Sequence, residues 1–270
     1  MGIVLANIIA IYRRELQSYF ASPLAYAIAG VFWFIAGILF FLILLGPTGL
    51  IAEAAYTDVQ GQQLGIPVSL DVGARLVQDF LNGLAWILLF VLPMLSMGLY
   101  AEERKRGTLE LLATSPVTNW AIAVGKLLGV LTFFITMILP LVLLEAIALA
   151  SANPPIQPTL PLLAHLGLIL LAASILSLGM FISSLTDSTI WAAVFTFAAG
   201  FLLLLIPDFI SQRVGGAVGE FLGHLSLVKH YNTLVQGIFD TSSLILFASY
   251  IFLGIFLTAQ SIDALRFQRQ

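Results

Sequence analysis

The sequence contains no cysteine. Disulfide frameworks and thiolate metal sites are therefore excluded, and the redox compartment is left open. Charge is scarce as well, with Asp, Glu, Lys and Arg making up 9% of 270 residues and only three histidines present. Neither H-E-x-x-H nor G-x-S-x-G occurs, and no His and carboxylate cluster stands at metal-ligand spacing. The nearest approach to a phosphate loop is "AVGKLL" at 123–128. It lacks the leading glycine, and Leu follows Lys126 where Ser or Thr is needed, so the chain carries no nucleotide site of that kind. Any ATP-driven function must borrow its ATPase from another chain. No convincing internal repeat and no ten-residue alternation of a β-barrel is present.

What the chain has in abundance is apolar surface. It is 60% hydrophobic with 20 Phe and a mean hydropathy of +1.05, far too apolar for a soluble globule. Runs free of Asp, Glu, Lys and Arg cover 16–52, 80–101, 127–144, 146–186, 188–207 and 241–262. A bilayer core of about 30 Å needs roughly 20 helical residues. The runs predict an all-α integral membrane protein with six transmembrane helices, near 24–45, 82–100, 127–149, 161–183, 189–206 and 242–262. "SANPPIQP" at 151–158 breaks the longest run into spans three and four. Ahead of the first span, "MGIVLANIIAIYRREL" has the reverse order of a signal peptide. It reads as an interfacial helix over 1–22, with Ile3, Ile8, Ile11 and Leu16 towards lipid and Pro23 ending it. The whole chain then forms one transmembrane domain.

Orientation follows from Lys and Arg alone. A cytoplasmic N-terminus gathers Arg13, Arg14, Arg104, Lys105, Arg106, Lys126, Arg266 and Arg269 on its own side. Only Arg75, Arg213 and Lys229 fall on the other. Six spans return the C-terminus to the cytoplasm, and the segments 46–80, 150–160 and 207–240 face outward. Glu145 is the one ionisable residue within a predicted span. It either reaches the outer interface or pairs in the bundle, or it serves a substrate or proton. His165 reads as interfacial. The near-absence of charge in the spans argues against proton- or ion-coupled transport.

Glu102, Glu103, Arg104, Lys105, Arg106 and Glu110 crowd into "AEERKRGTLELLATSPVT" at 101–118. The basic trio anchors span two, but it does not account for the residues after it. Gly107 permits a sharp turn, Thr108 can cap a helix, and Glu110 falls in its first turn. Ser115–Pro116 stops that helix. A short amphipathic helix near 109–114, about 9 Å long, results, with Leu109, Leu112 and Ala113 on one face. Such a helix is suited to be pushed by a partner protein.

This segment matches the pattern E-E-x-x-x-G-T-x-E-x-L-x-x-[ST]-P-[VIL] and so resembles the ABC-2 type transporter permeases. "YRRELQSYFASPLAY" at 12–26 resembles that family's elbow helix, and "HYNTLVQGIFDTSSLILFASY" at 230–250 the approach to its last span. The likeness is nearest to the gliding-motility-associated and nitrous-oxide-accessory branches. It implies a bacterial inner-membrane permease subunit, catalysing nothing itself and most suited to export. Glu102, Glu103, Arg104, Arg106, Gly107, Thr108, Leu109, Glu110, Leu112 and Pro116 would form the ATPase-coupling element, with Arg13, Arg14 and Glu15 of the elbow nearby. The segment 207–240, with "RVGGAVGEFLGHL", would be a re-entrant hairpin before span six. Trp33, Trp86, Glu145, Trp191 and Phe195 are the candidate pathway residues. Implied partners are ABC ATPase subunits, which carry the ATP and Mg, a second or sister permease, and membrane lipids. A further extracytoplasmic subunit is compatible with this arrangement, and nucleic acid is not. No cofactor or metal is expected on this chain. The alternative is a mechanical or signalling complex in which ATPase strokes move no cargo.

Overall fold

Side-chain caps set the start of several helices. Ser22 accepts from the N–H of Ala25, and Pro23 takes the first helical position, where its missing N–H needs no partner. Asp71, Thr118 and Ser226 cap in the same way, accepting from Ala74, Ala121 and Lys229. The computed structural model describes residues 2–65, 70–109, 117–152, 155–213 and 216–267. Among them are the helices α1 (Gly2–Ala21), α2 (Pro23–Leu45), α3 (Leu50–Leu64), α4 (Val72–Ser96) and α5 (Gly98–Lys105). Then follow α6 (Asn119–Leu149), α7 (Thr159–Leu185), α8 (Thr189–Arg213), α9 (Ala217–His224), α10 (Leu227–Val235) and α11 (Thr241–Phe267).

Among the described residues six stretches are long and apolar enough to cross a membrane: Pro23–Gln63, Val72–Lys105, Asn119–Leu149, Thr159–Leu185, Thr189–Ser211 and Thr241–Ala264. The all-α fold with six spans is as the hydropathy indicates, but the helices overrun their apolar windows. α4 starts ten residues before the expected span two, because Asp71 caps it and Arg75 continues it. α6 starts at Asn119, eight residues early, and takes in Lys126. Part of the outward segment 46–80 is also helical, as α3, closed by Gly65 in the left-handed region at φ 68°.

The bundle is organised around α7, which touches α4, α5, α6, α8, α10 and α11. Small side chains make this possible. Ser174 and Ser177 of α7 donate to the carbonyls of Phe247 and Tyr250 in α11. Gly254 lies directly against Ser177, and Gly179 against Ser96 and Thr196.

One expectation for the N-terminal helix is corrected. Ile8, Ile11 and Leu16 do not turn outward; α1 packs lengthwise on the first half of α6. Ile11 sits on Gly125 and Glu15 on Gly129, where an added Cβ would stand 2.9 and 2.7 Å from them. Farther along, the rings of Tyr19 and Phe20 meet Phe133 with centroids 5.1 and 5.5 Å apart. Two glycines one turn apart open a flat track on α6, and Ile11 and the aliphatic stem of Glu15 fill it. The exposed large apolar side chains of α1 are Val4, Leu5, Ile9 and Phe20, and the side chain of Ile3 lies outside the described residues.

Candidate coupling site

The charged segment leaves the bundle through a break between α4 and α5. Met97 keeps its helical bond to the Pro93 carbonyl, and the ladder is interrupted just beyond it, at the N–H groups of Tyr100 and Ala101. The hydroxyl of Ser183, on α7, fills the break. It accepts from the N–H groups of Tyr100 and Ala101 at 3.1 and 3.0 Å and donates to the Met97 carbonyl at 2.7 Å. A serine of one helix thus caps another. One turn further on, Arg104 donates to the Ser184 carbonyl at 2.7 Å. Ser183→Ala leaves two buried N–H groups unpaired, and a loss of about 1–3 kcal/mol is expected. Thermal unfolding of the detergent-solubilised variant checks this, and an unchanged melting temperature would refute it.

α5 ends in a Schellman turn. Gly107 is left-handed at φ 70°, its N–H bonds to the Arg104 carbonyl, and the Thr108 N–H reaches back to Glu103. The Thr108 hydroxyl also donates to the Glu103 carbonyl, at 3.2 Å. Leu109 is buried in the core. Glu110, Leu112 and Pro116, and with them the body of the expected helix, lie outside the described residues.

Behind the turn sits a buried ion cluster. Lys126 Nζ lies 3.0 Å from Glu103 Oε1 and 3.3 Å from Glu15 Oε2, and it donates to the Leu99 carbonyl at 2.6 Å. The lysine side chain is 4% exposed and each carboxylate 16%. The Tyr100 ring stands beneath the ammonium, 4.9 Å from its centroid. Lys126 therefore pins α1, α5 and α6 at one point. Tyr19 of α1 donates to the Leu95 carbonyl, tying α1 to α4 as well. Burial, then the Glu15 and Glu102 carboxylates, hold its phenol well above the usual range, so it stays a donor. Asn119 adds a bond to Asp263 of α11 at 2.6 Å.

The other predicted residues of this end are peripheral. Arg13, Arg14, Glu102 and Arg106 are exposed. Glu102 and Arg106 form a solvent-facing pair at 3.6 Å, which contributes little. By sequence Lys126 counts as a topology marker and as the lysine of a rejected phosphate loop, not as a bundle contact, and Ser183 carries no signal. A lysine between Gly125 and Gly129, in a helix whose one other charge is Glu145, was the available signal for the first; one serine among the four of α7 offers none.

The candidate pathway residues occupy separate places. Trp33 donates to the Met137 carbonyl at 2.7 Å, bridging α2 and α6. Trp86 is half-exposed on α4, and Trp191 and Phe195 stack at 5.5 Å on the outside of α8. Glu145 is 1% exposed and faces His165 of α7, with Oε2 and Nε2 3.4 Å apart. His165 Nδ1 donates to the Pro161 carbonyl at 2.8 Å, and Nε2 is the ring nitrogen turned to the carboxyl. Among the described residues, no three His, Asp or Glu side chains are placed to hold a metal ion.

Taken together, a six-span helical bundle with a charged, turn-terminated helix at one end defines a multi-pass membrane protein. The sequence model described as ABC-2 family transporter protein matches residues 69–211, more than half of the chain. The chain belongs to that family. The matched region runs from the start of α4 into α8 and contains the break, the Gly107 turn and Lys126. No curated protein gives a significant match.

Proposed function

We propose that the chain is the permease subunit of an ABC exporter, driven by ATP hydrolysis on separate ATPase subunits that carry the nucleotide and Mg. The observation that carries this is the position of the family motif. The motif begins within α5, a short helix fastened to three others by Lys126, Ser183 and Arg104, and continues through the Gly107 turn. A push on the segment beyond Gly107 is then transmitted to α1, α6 and α7 together, because α5 cannot yield alone. The bundle end bearing Arg104, Lys105 and Arg106 is cytoplasmic in this reading, and so are both termini, in a bacterial inner membrane. Two permeases, identical or sister chains, pair over two ATPases. α9 and α10, folded between α8 and α11, would form the outer hairpin that narrows the exit, and the branch would be the gliding-motility-associated or nitrous-oxide-accessory one.

Gly107→Val tests the coupling. A Cβ there meets no atom within 4 Å, so the substitution strains only the turn, by about 1–2 kcal/mol, and tilts the segment. Weaker co-purification of a P-loop ATPase is expected, along with a several-fold drop in stimulated hydrolysis at normal membrane insertion. Wild-type coupling in the variant would reject the lever. Purification without any ATPase, under gentle detergent, would reject the class.

A further inference from the structure

Trp86 forms part of two adjoining cavities of opposite character. On one side is a groove of about 500 Å³ between α2 and α4, lined by apolar side chains including Val31, Ile35, Phe90 and Met94. On the other is a pocket of about 230 Å³ enclosed by α4, α7, α8 and α10. Asn82, Asn232 and Tyr231 line this second cavity. The Tyr231 hydroxyl is already committed to the Leu81 carbonyl, at 2.7 Å. The amides of Asn82 and Asn232 make no hydrogen bond to the described residues, so their donors and acceptors are free for a guest. Asn82, Trp86, Phe90 and Met94 follow one another at four-residue steps on α4, a stripe about 18 Å long that changes from polar to apolar.

We propose that these two cavities are one binding site for an amphiphile with an uncharged, hydroxyl-rich head, such as a glycosyl diacylglycerol. The head occupies the Asn82–Asn232 pocket, and a chain passes over Trp86 into the α2–α4 groove. The polarity of the site selects the class. Among the described residues no charged side chain lines either cavity, so a phosphate or carboxylate head would be desolvated without a counter-charge. Amides both donate and accept, which matches hydroxyl groups that do the same. An apolar groove alone is ordinary for a membrane helix; a polar pocket opening off it, with two uncommitted amides, is what singles out this face. The inference rests on the export reading only for calling the ligand cargo, and binding needs no ATPase.

The test uses the full chain in phosphatidylcholine nanodiscs with trace glucosyl diacylglycerol bearing an acyl diazirine, or phosphatidylglycerol bearing the same chain. Photolabelling is mapped by mass spectrometry. Saturable labelling of the Ile35, Phe90 and Met94 wall is expected with the glucosyl lipid, competed by its unlabelled form and not by phosphatidylglycerol. Asn82→Leu with Asn232→Leu should weaken it roughly tenfold or more, the effect of losing several hydrogen bonds. Asn232→Leu alone, on the short α10, gives the same sign of change should the double variant fold poorly. Equal labelling by both lipids, or labelling indifferent to the substitutions, means annular lipid only and overturns the site. Failure here with ATPase coupling intact would leave the export reading standing; the reverse result would separate the two in the other direction.

Discussion

Replacing Lys126 by Met is expected to destabilise the fold by about 3–5 kcal/mol, the cost of removing one partner from a buried ion pair. Methionine fills the same space, so the loss is electrostatic. Glu15 and Glu103 would face each other with no cation, in a site where the lysine is 4% exposed. The measurement is the midpoint of denaturant unfolding in detergent micelles, followed by near-ultraviolet circular dichroism. Adding Glu15→Gln and Glu103→Gln to Lys126→Met should recover most of the loss, since no uncompensated charge then remains. An unchanged midpoint in the single variant, or no recovery in the triple, would show that the cluster does not fasten α1 to α5 and α6. Arg106→Ala supplies the contrast. Its pair with Glu102 is exposed, and a change within about 0.5 kcal/mol is expected.

The second large effect is steric. Gly254→Val places a Cβ 2.5 Å from Ser177 Oγ and 2.6 Å from the Ser177 carbonyl carbon. A side chain can rotate away, but the backbone of α7 cannot, so the crossing of α11 on α7 must open. Overpacking of this kind costs about 1–3 kcal/mol. The bonds from Ser174 and Ser177 to the Phe247 and Tyr250 carbonyls are weakened with it. Thermal unfolding and the folded fraction by size-exclusion chromatography report the loss. Gly37→Ala is the control. Nothing lies within 4 Å of its would-be Cβ, and relief of helix entropy should make it neutral or stabilising by up to about 1 kcal/mol. Equal melting of the two variants would mean that α11 is not held against α7 as described.

Much of the architecture was legible because hydropathy is a local property. Six apolar runs give six spans, and "SANPPIQP" separates two of them without any knowledge of packing. Helix ends were less legible. α4 and α6 extend through Arg75 and Lys126 because those charges find places at the rim or inside the bundle, and an apolar window stops short of both. The Gly107 turn was readable, since a left-handed residue after a basic helix end nearly requires glycine. The facing of α1 was not. Its apolar positions suit lipid and protein equally, and Gly125 and Gly129 on a distant helix decide between them.

The candidate site divides along the same line. The motif at 101–118 is contiguous, so its residues and the family can be read from sequence, as the match over 69–211 agrees. What holds the motif is not contiguous. Lys126 reaches Glu15 across 111 positions, and Ser183 caps Tyr100 across 83. By itself the sequence determined a helical, membrane-embedded chain of the ABC-2 family with one strongly charged turn. Only the tertiary structure decided that Lys126 joins three helices, that Ser183 closes the break between α4 and α5, and that Asn82 and Asn232 share a pocket. Each of these is a meeting of side chains on separate helices. Those meetings are set by which small residues let the helices approach, a condition that hydropathy along the chain does not encode.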